Sequence, residues 1–220
     1  MGSSLCVVFS RVQIRLQAEY LDVPENRFVF VPYKANHSQS QPIAIVPGNY
    51  VFSGGNTKRD YATLCEAVRG TGIPVMISAT DPAVIRGLNV PSNVIILSAV
   101  EPSFAKLMAG SRFVVITINA GGVRGAGEAS ACNAMWHGKA VVCADDLSAS
   151  DHIIDGVTGY IVPAGDALEL KARILQLWED TEGTQNMGRR AHEHVAASLT
   201  HEHFLRRLLA LSDLLSCYES

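Results

Sequence analysis

The sequence predicts a doubly wound α/β domain on a parallel sheet, and three features carry that reading. From residue 49 onward, short apolar runs alternate with amphipathic stretches at the spacing of strand–helix units. Several runs, such as Val94-Ile95-Ile96-Leu97 and Phe113-Val114-Val115-Ile116-Thr117-Ile118, are apolar without alternation, as in strands covered by helices on both faces. Glycine-rich turns, Gly54-Gly55 and Gly121 to Gly127, fall between a strand and a helix, where such sheets bind ligands.

Element by element, Val7 to Tyr20 has the period of an amphipathic helix, broken by Asp22-Val23-Pro24-Glu25, and Arg27 to Val31 reads as a strand. Residues 36–48, polar with Pro42 and Pro47, read as an exposed loop or linker. Strands are expected at Tyr50–Ser53, Pro74–Ser78, Val94–Ser98, Phe113–Ile118, Ala140–Cys143 and Tyr160–Val162. Helices are expected at Arg59–Arg69, Pro82–Leu88, Glu101–Ala109, Gly127–His137, Asp151–Asp155 and Ala167–Trp178, with one or two more from Gly183 to Tyr218.

The 220 residues are enough for a buried core, and 48% hydrophobic with 18% charged residues excludes a disordered chain. A net charge of −3 without a basic cluster gives no electrostatic case for nucleic acid. No apolar run approaches the ~20 residues of a membrane span, and Leu5 to Phe9 is too short for a signal-peptide core. Cys132 and Cys143 lie in apolar runs and read as reduced core thiols, so a cytoplasmic location is expected.

The stretch from Asn133 to Asp166 is the most specific. Asn133-Ala-Met-Trp-His-Gly-Lys-Ala-Val-Val142 is followed by Asp151-His-Ile-Ile-Asp-Gly156 and by Val162-Pro-Ala-Gly-Asp166. These segments resemble, without a gap in either run, the E-A-M-A-x-G-K-P-V-V and E-I-V-x-D-G-x-x-G-x-x-V-P-x-G-D runs of two-domain nucleotide-sugar glycosyltransferases. The resemblance is to the family 4-like group (glycosyl transferases group 1) with the GT-B fold. It covers residues 49–178 and implies the Rossmann-like C-terminal, donor-binding half of a GT-B architecture, with extra terminal helices.

On that resemblance, residues 1–48 are expected to be a remnant of a preceding domain and hinge. Residues 49–182 would form the nucleotide-sugar-binding domain and 183–220 the C-terminal helices. The missing N-terminal acceptor domain would be a partner, and the isolated domain would be inactive without it. The substrate would be a UDP- or GDP-linked nucleotide sugar, with no cofactor and no essential metal. The reaction would be sugar transfer to a hydroxyl acceptor in glycan or glycolipid synthesis. Membrane association is expected only through the acceptor or the missing domain. The Leu-rich stretch Phe204 to Leu215 is a surface for self-association.

Gly54, Gly55 and Asn56 offer backbone N–H groups to a phosphate, and Arg59 falls where the family has its diphosphate-binding Lys; a plain turn with a solvated Arg is the competing reading. Gly125, Ala126 and Gly127 form a second cradle, with Arg124 as either another phosphate cation or an exposed side chain. The family's glutamate pair, eight apart, falls here on Gly125 and Asn133. Asn133 retains hydrogen-bonding capacity toward ribose. Glu128, the one acid on the loop, is the catalytic candidate or else complements the helix dipole. The main chain of Ser98-Ala99-Val100 is where the family pairs with the base. Asp151 reads as an N-cap, His137 as a cation at a helix end, and the His192-Glu-His194 and His201-Glu-His203 pairs as solvated faces rather than metal ligands. The absent glutamates support a second reading, a non-catalytic nucleotide-sugar binding module.

Overall fold

The computed structural model describes residues 5–218 apart from Gly122, Arg124 and Asp146. At the N-terminus, strands β1 (Cys6–Val8) and β2 (Phe28–Phe30) pair in parallel, connected through helix α1 (Arg11–Leu21). The periodicity predicts a helix from Val7. The helix starts only after Ser10, whose hydroxyl accepts the Val12 N–H and ends the preceding strand.

The main sheet contains β3 (Val51–Gly54), β4 (Val75–Ser78), β5 (Val94–Leu97), β6 (Val114–Ile116), β7 (Val141–Asp145) and β8 (Gly159–Pro163). Every pairing is parallel and the order is β5-β4-β3-β6-β7-β8. Each expected strand is present, with ends shifted by one or two residues. Side chains alternate across the sheet, so Val51, Val115 and Val142 enter one core while Phe52, Val114 and Val141 enter the other. Helices α2 (Tyr61–Val68) and α5 (Ala167–Glu179) fill the first layer; α3 (Ser103–Gly110) and α4 (Glu128–Trp136) fill the second, and α6 (Thr181–Ser198) gives Met187 to the first core and Ala191 and Val195 to the second. Helix α7 (His201–Tyr218) follows. The strand order reverses between β3 and β6, which opens a crevice at their carboxyl ends.

Two expected helices are corrected. Residues 82–88 form only a 3₁₀ turn, Pro82–Val84, because Gly87 at φ +73 stops the chain before a stable helix length. Asp151 to Asp155 is likewise not helical; the turn there is Ala149–Asp151. Residues 40–48 are an irregular and mostly exposed loop, as expected, while Asn36–Gln39 before them forms a 3₁₀ turn packed on α4. The terminal region holds two helices, within the one or two expected, and the first begins at Thr181. None of the described helices is long and apolar enough to cross a membrane.

Candidate functional site

The loops after β3 and β6 are joined at the crevice. Asp60 N–H donates to Thr117 O at 3.1 Å, Asn119 N–H to Lys58 O at 2.8 Å, and the Asn119 amide to Arg59 O at 3.1 Å. Lys58 adopts φ +53 to make the turn, and Asp60 then caps α2 by accepting the Thr63 N–H. These bonds hold Arg59 in the floor of the crevice, only 7% exposed. Its Nε donates to Gly54 O at 3.0 Å, Nη1 to Thr57 O at 3.3 Å and Nη2 to Ser130 Oγ at 2.8 Å.

Burial pushes the Arg59 pKa down, opposed by Tyr61, Cys143 and Glu128. An arginine remains cationic under such a shift, so a positive charge whose hydrogen-bond partners among the described residues are neutral oxygens lies beneath the crevice. Tyr61 braces the same turn by donating to Gly55 O at 2.6 Å, and burial raises its hydroxyl to about 12.

Above Arg59 lies a cleft of about 600 Å³. One wall is the loop Gly125–Gly127 with the first turn of α4; the other is Phe9, Gln13 and Tyr33 of the N-terminal unit. Gly127 stands at the N-cap of α4 with φ +92 and no side-chain cap, so the first helical N–H groups lack a side-chain acceptor. A Cβ on Gly127 would lie 3.6 Å from Arg59 Nη1, and one on Gly55 would lie 2.8 Å from Nη2. Bare backbone thus stands on both sides of the guanidinium, which lines the cleft floor. Among the described residues lining this cleft, Arg59 is the one cation and Glu128 the one acid.

The N-terminal wall is pinned to the body by named contacts. Arg11 donates from its main chain and guanidinium to Asp151, and Tyr33 N–H donates to His152 Nε2 at 3.0 Å. Ser10 Oγ donates to Leu147 O. Phe204 of α7 packs near Phe9 and Tyr33, with ring centroids 6.1 and 6.2 Å away.

Of the residues singled out from sequence, Gly55, Asn56, Arg59, Gly125, Ala126, Gly127 and Glu128 meet around this cleft. Gly54 does not line it: a Cβ there would strike the Phe104 ring at 2.6 Å, and its carbonyl holds Arg59. Asn56 lines the cleft, but its amide is committed to Thr80 and Asp81. Asn133 is buried away from the cleft, its Oδ1 accepting the His37 N–H at 3.1 Å. Arg124 lies outside the described residues.

Other expectations change as well. Asp151 caps α1 through Arg11 rather than its own turn. His137 is no cation at a helix end; burial, with His37, Lys139 and His192 nearby, lowers its pKa to about 4. His192 bonds Trp136 O at 2.6 Å, and burial lowers the pKa of His194, so that pair is not simply a solvated face. Among the described residues no group of three His, Cys, Asp or Glu could hold a metal ion. Sequence reasoning missed Ser130, Gln13 and Tyr33. The one available signal was Ser130, a hydroxyl in the first turn of a helix otherwise rich in alanine.

The family described as glycosyl transferases group 1 matches residues 70–180, just over half of the chain. The chain belongs to this family. Solved structures agree on the fold. Sucrose-phosphate synthase from Thermosynechococcus elongatus superposes with a TM-score of 0.77 at 17% identity, over 96% of this chain and 58% of that one. Anabaena HepE in complex with UDP gives 0.76 at 17% identity, over 96% and 64%. S. aureus TarM, in a complex that includes UDP, gives 0.73 at 19% identity, over 95% and 43%. The chain therefore spans less than two thirds of each of these proteins. No curated protein matches its sequence.

Proposed function

We propose that this chain supplies the donor-binding half of a glycosyltransferase that moves a sugar from a UDP- or GDP-linked donor to a hydroxyl acceptor. The observation that carries the reading is Arg59, buried beneath two glycine loops at the β3–β6 crevice and bonded, among the described residues, to neutral oxygens. A diphosphate above it would take hydrogen bonds from the guanidinium and from the bare N–H groups that open α4. Similarity to UDP complexes of HepE and TarM, and membership of the family, support the same ligand class.

During transfer the bond from the sugar's anomeric carbon to the diphosphate breaks, and negative charge grows on the departing oxygens. Donors already fixed in place lower the energy of that charge without rearranging. Glu128 faces the same cleft, so its carboxylate is the group of this chain available to a developing positive charge on the sugar. The second wall, Phe9, Gln13 and Tyr33, would belong to the side from which the acceptor approaches.

A binding module that performs no transfer is the second reading, favoured by Gly125 and Asn133 standing where the family has glutamates. Thermal shift with UDP, GDP and ADP tests the site. A ligand at a hundred times its Kd stabilises the fold by about 2.7 kcal/mol. Donor hydrolysis or transfer by the full-length protein, lost on Glu128→Gln with nucleotide binding retained, supports the enzyme. Binding with no turnover by the full-length protein supports the module.

A further inference from the structure

We infer that Glu101, oriented by His37, is the carboxylate that grips the two ribose hydroxyls of the bound nucleotide; this rests on the nucleotide-sugar reading above. A second cleft of about 270 Å³ adjoins the first and shares Gly55 and Asn56 with it. It runs along the carboxyl ends of β3, β4 and β5, between Ser78, Ala99 and Phe104. A nucleoside attached to a diphosphate above Arg59 would extend into it.

The polar side chains of that cleft are committed, with one exception. The Asn56 oxygen accepts the N–H groups of Thr80 and Asp81, and its NH₂ donates to Thr80 Oγ1. The Ser78 hydroxyl exchanges hydrogen bonds with the Ala99 main chain. Among the described residues lining this cleft Glu101 is the one that is charged, with its side chain 56% exposed. Each of its oxygens has a single partner: Oε1 with His37 Nε2 at 3.2 Å and Oε2 with the Ala105 N–H at 3.3 Å. A carboxylate oxygen accepts about two bonds, so one site remains on each, side by side, as a vicinal diol requires.

The surroundings hold that carboxylate in one orientation. Ile43 N–H donates to His137 Nδ1 at 3.2 Å, which places the His137 proton on Nε2. That proton points to His37 Nδ1 at 2.8 Å, so His37 carries its own proton on Nε2, toward Glu101. One choice of tautomers satisfies the whole chain. Asn133, where the ribose contact was expected, accepts from the His37 main chain and lines neither cleft.

The experiment is calorimetry of this chain with UDP and GDP and with their 2′-deoxy forms, comparing wild type, Glu101→Ala and Asn133→Ala. Circular dichroism and melting temperature control for folding. Wild type is expected to prefer the ribonucleotide by about tenfold, roughly 1.4 kcal/mol. Glu101→Ala should bring that ratio near one while leaving 2′-deoxynucleotide affinity unchanged, and Asn133→Ala should keep it. Discrimination that survives Glu101→Ala overturns the inference and leaves the donor-binding function standing. A wild-type chain that binds no nucleoside diphosphate overturns both.

Discussion

The Glu128 carboxylate occupies the space that a side chain at Gly125 would take. A Cβ built on Gly125 lies 2.4 Å from Glu128 Oε1, 2.9 Å from Ser148 Oγ and 3.2 Å from Gln13 Nε2. The two positions are therefore coupled: a carboxylate reaches this point from residue 128 because residue 125 has no side chain. The nearest obstruction is the tip of a flexible side chain, so Gly125→Ala should cost little stability, under about 1 kcal/mol. Its effect should fall on function, because Glu128 must swing away. Gly125→Ala and Glu128→Ala should lower turnover of the full-length protein to a similar degree, and the double variant should be no worse than either single one. Kinetics of the three variants check this; additive losses would show the two residues to be independent.

Acid should loosen the strap at residues 36–43. His137 titrates at about 4 in the folded chain against 6.5 when exposed, held down first by burial. Between those values the unfolded chain binds a proton that the folded chain does not. The stabilisation is therefore complete above about 6.5 and is lost as pH falls toward 4. Burial lowers His152 and His194 in the same direction. Melting temperature should drop steadily between pH 7 and pH 4.5, and the drop should be smaller in His137→Gln. An equal drop in that variant would remove His137 from the account.

Helix α6 docks through a glycine. A Cβ on Gly188 would lie 2.1 Å from Gly138 O and 3.2 Å from Ala140 N, both main-chain atoms that cannot rotate away. Gly188→Ala should therefore destabilise by about 1–3 kcal/mol as the helix is forced off the α4–β7 turn. Chemical denaturation measures it, and a change within experimental error would mean that α6 is not seated there.

The N-terminal wall should depend on one carboxylate. Asp151 accepts from the Arg11 main chain at the start of α1, so Asp151→Ala should cost about 1 kcal/mol, as for loss of an N-cap. Proteolysis near the β1–α1 junction should quicken while protection of the main sheet is unchanged. Uniform loss of protection would show that the N-terminal unit and the sheet unfold together.

The main sheet was legible because its strands are apolar on both faces, as at Val114–Ile116, and such runs have few alternatives. The start of the chain was not: Val7, Val8 and Phe9 continue the period of the helix behind them, and only the Ser10 cap separates the two. At the site, the glycine loops and Arg59 were readable because each is a local pattern between strand and helix. Local pattern does not say which side-chain amide the scaffold already uses, as at Asn56 and Asn133. Their partners, Thr80 and His37, lie 24 and 96 residues away. The cleft's second wall was missed for the same reason, since Gln13 and Tyr33 reach it only through contacts such as Tyr33 to His152.

The most direct measurement is calorimetric titration of UDP, GDP and ADP into the wild-type chain and into Arg59→Ala, each verified as folded. Wild type should bind at least one of these diphosphates, and Arg59→Ala should bind it tenfold or more weakly, roughly 1.4 kcal/mol. Equal affinity in the two proteins would contradict the assignment of Arg59 as the buried cation that holds the diphosphate.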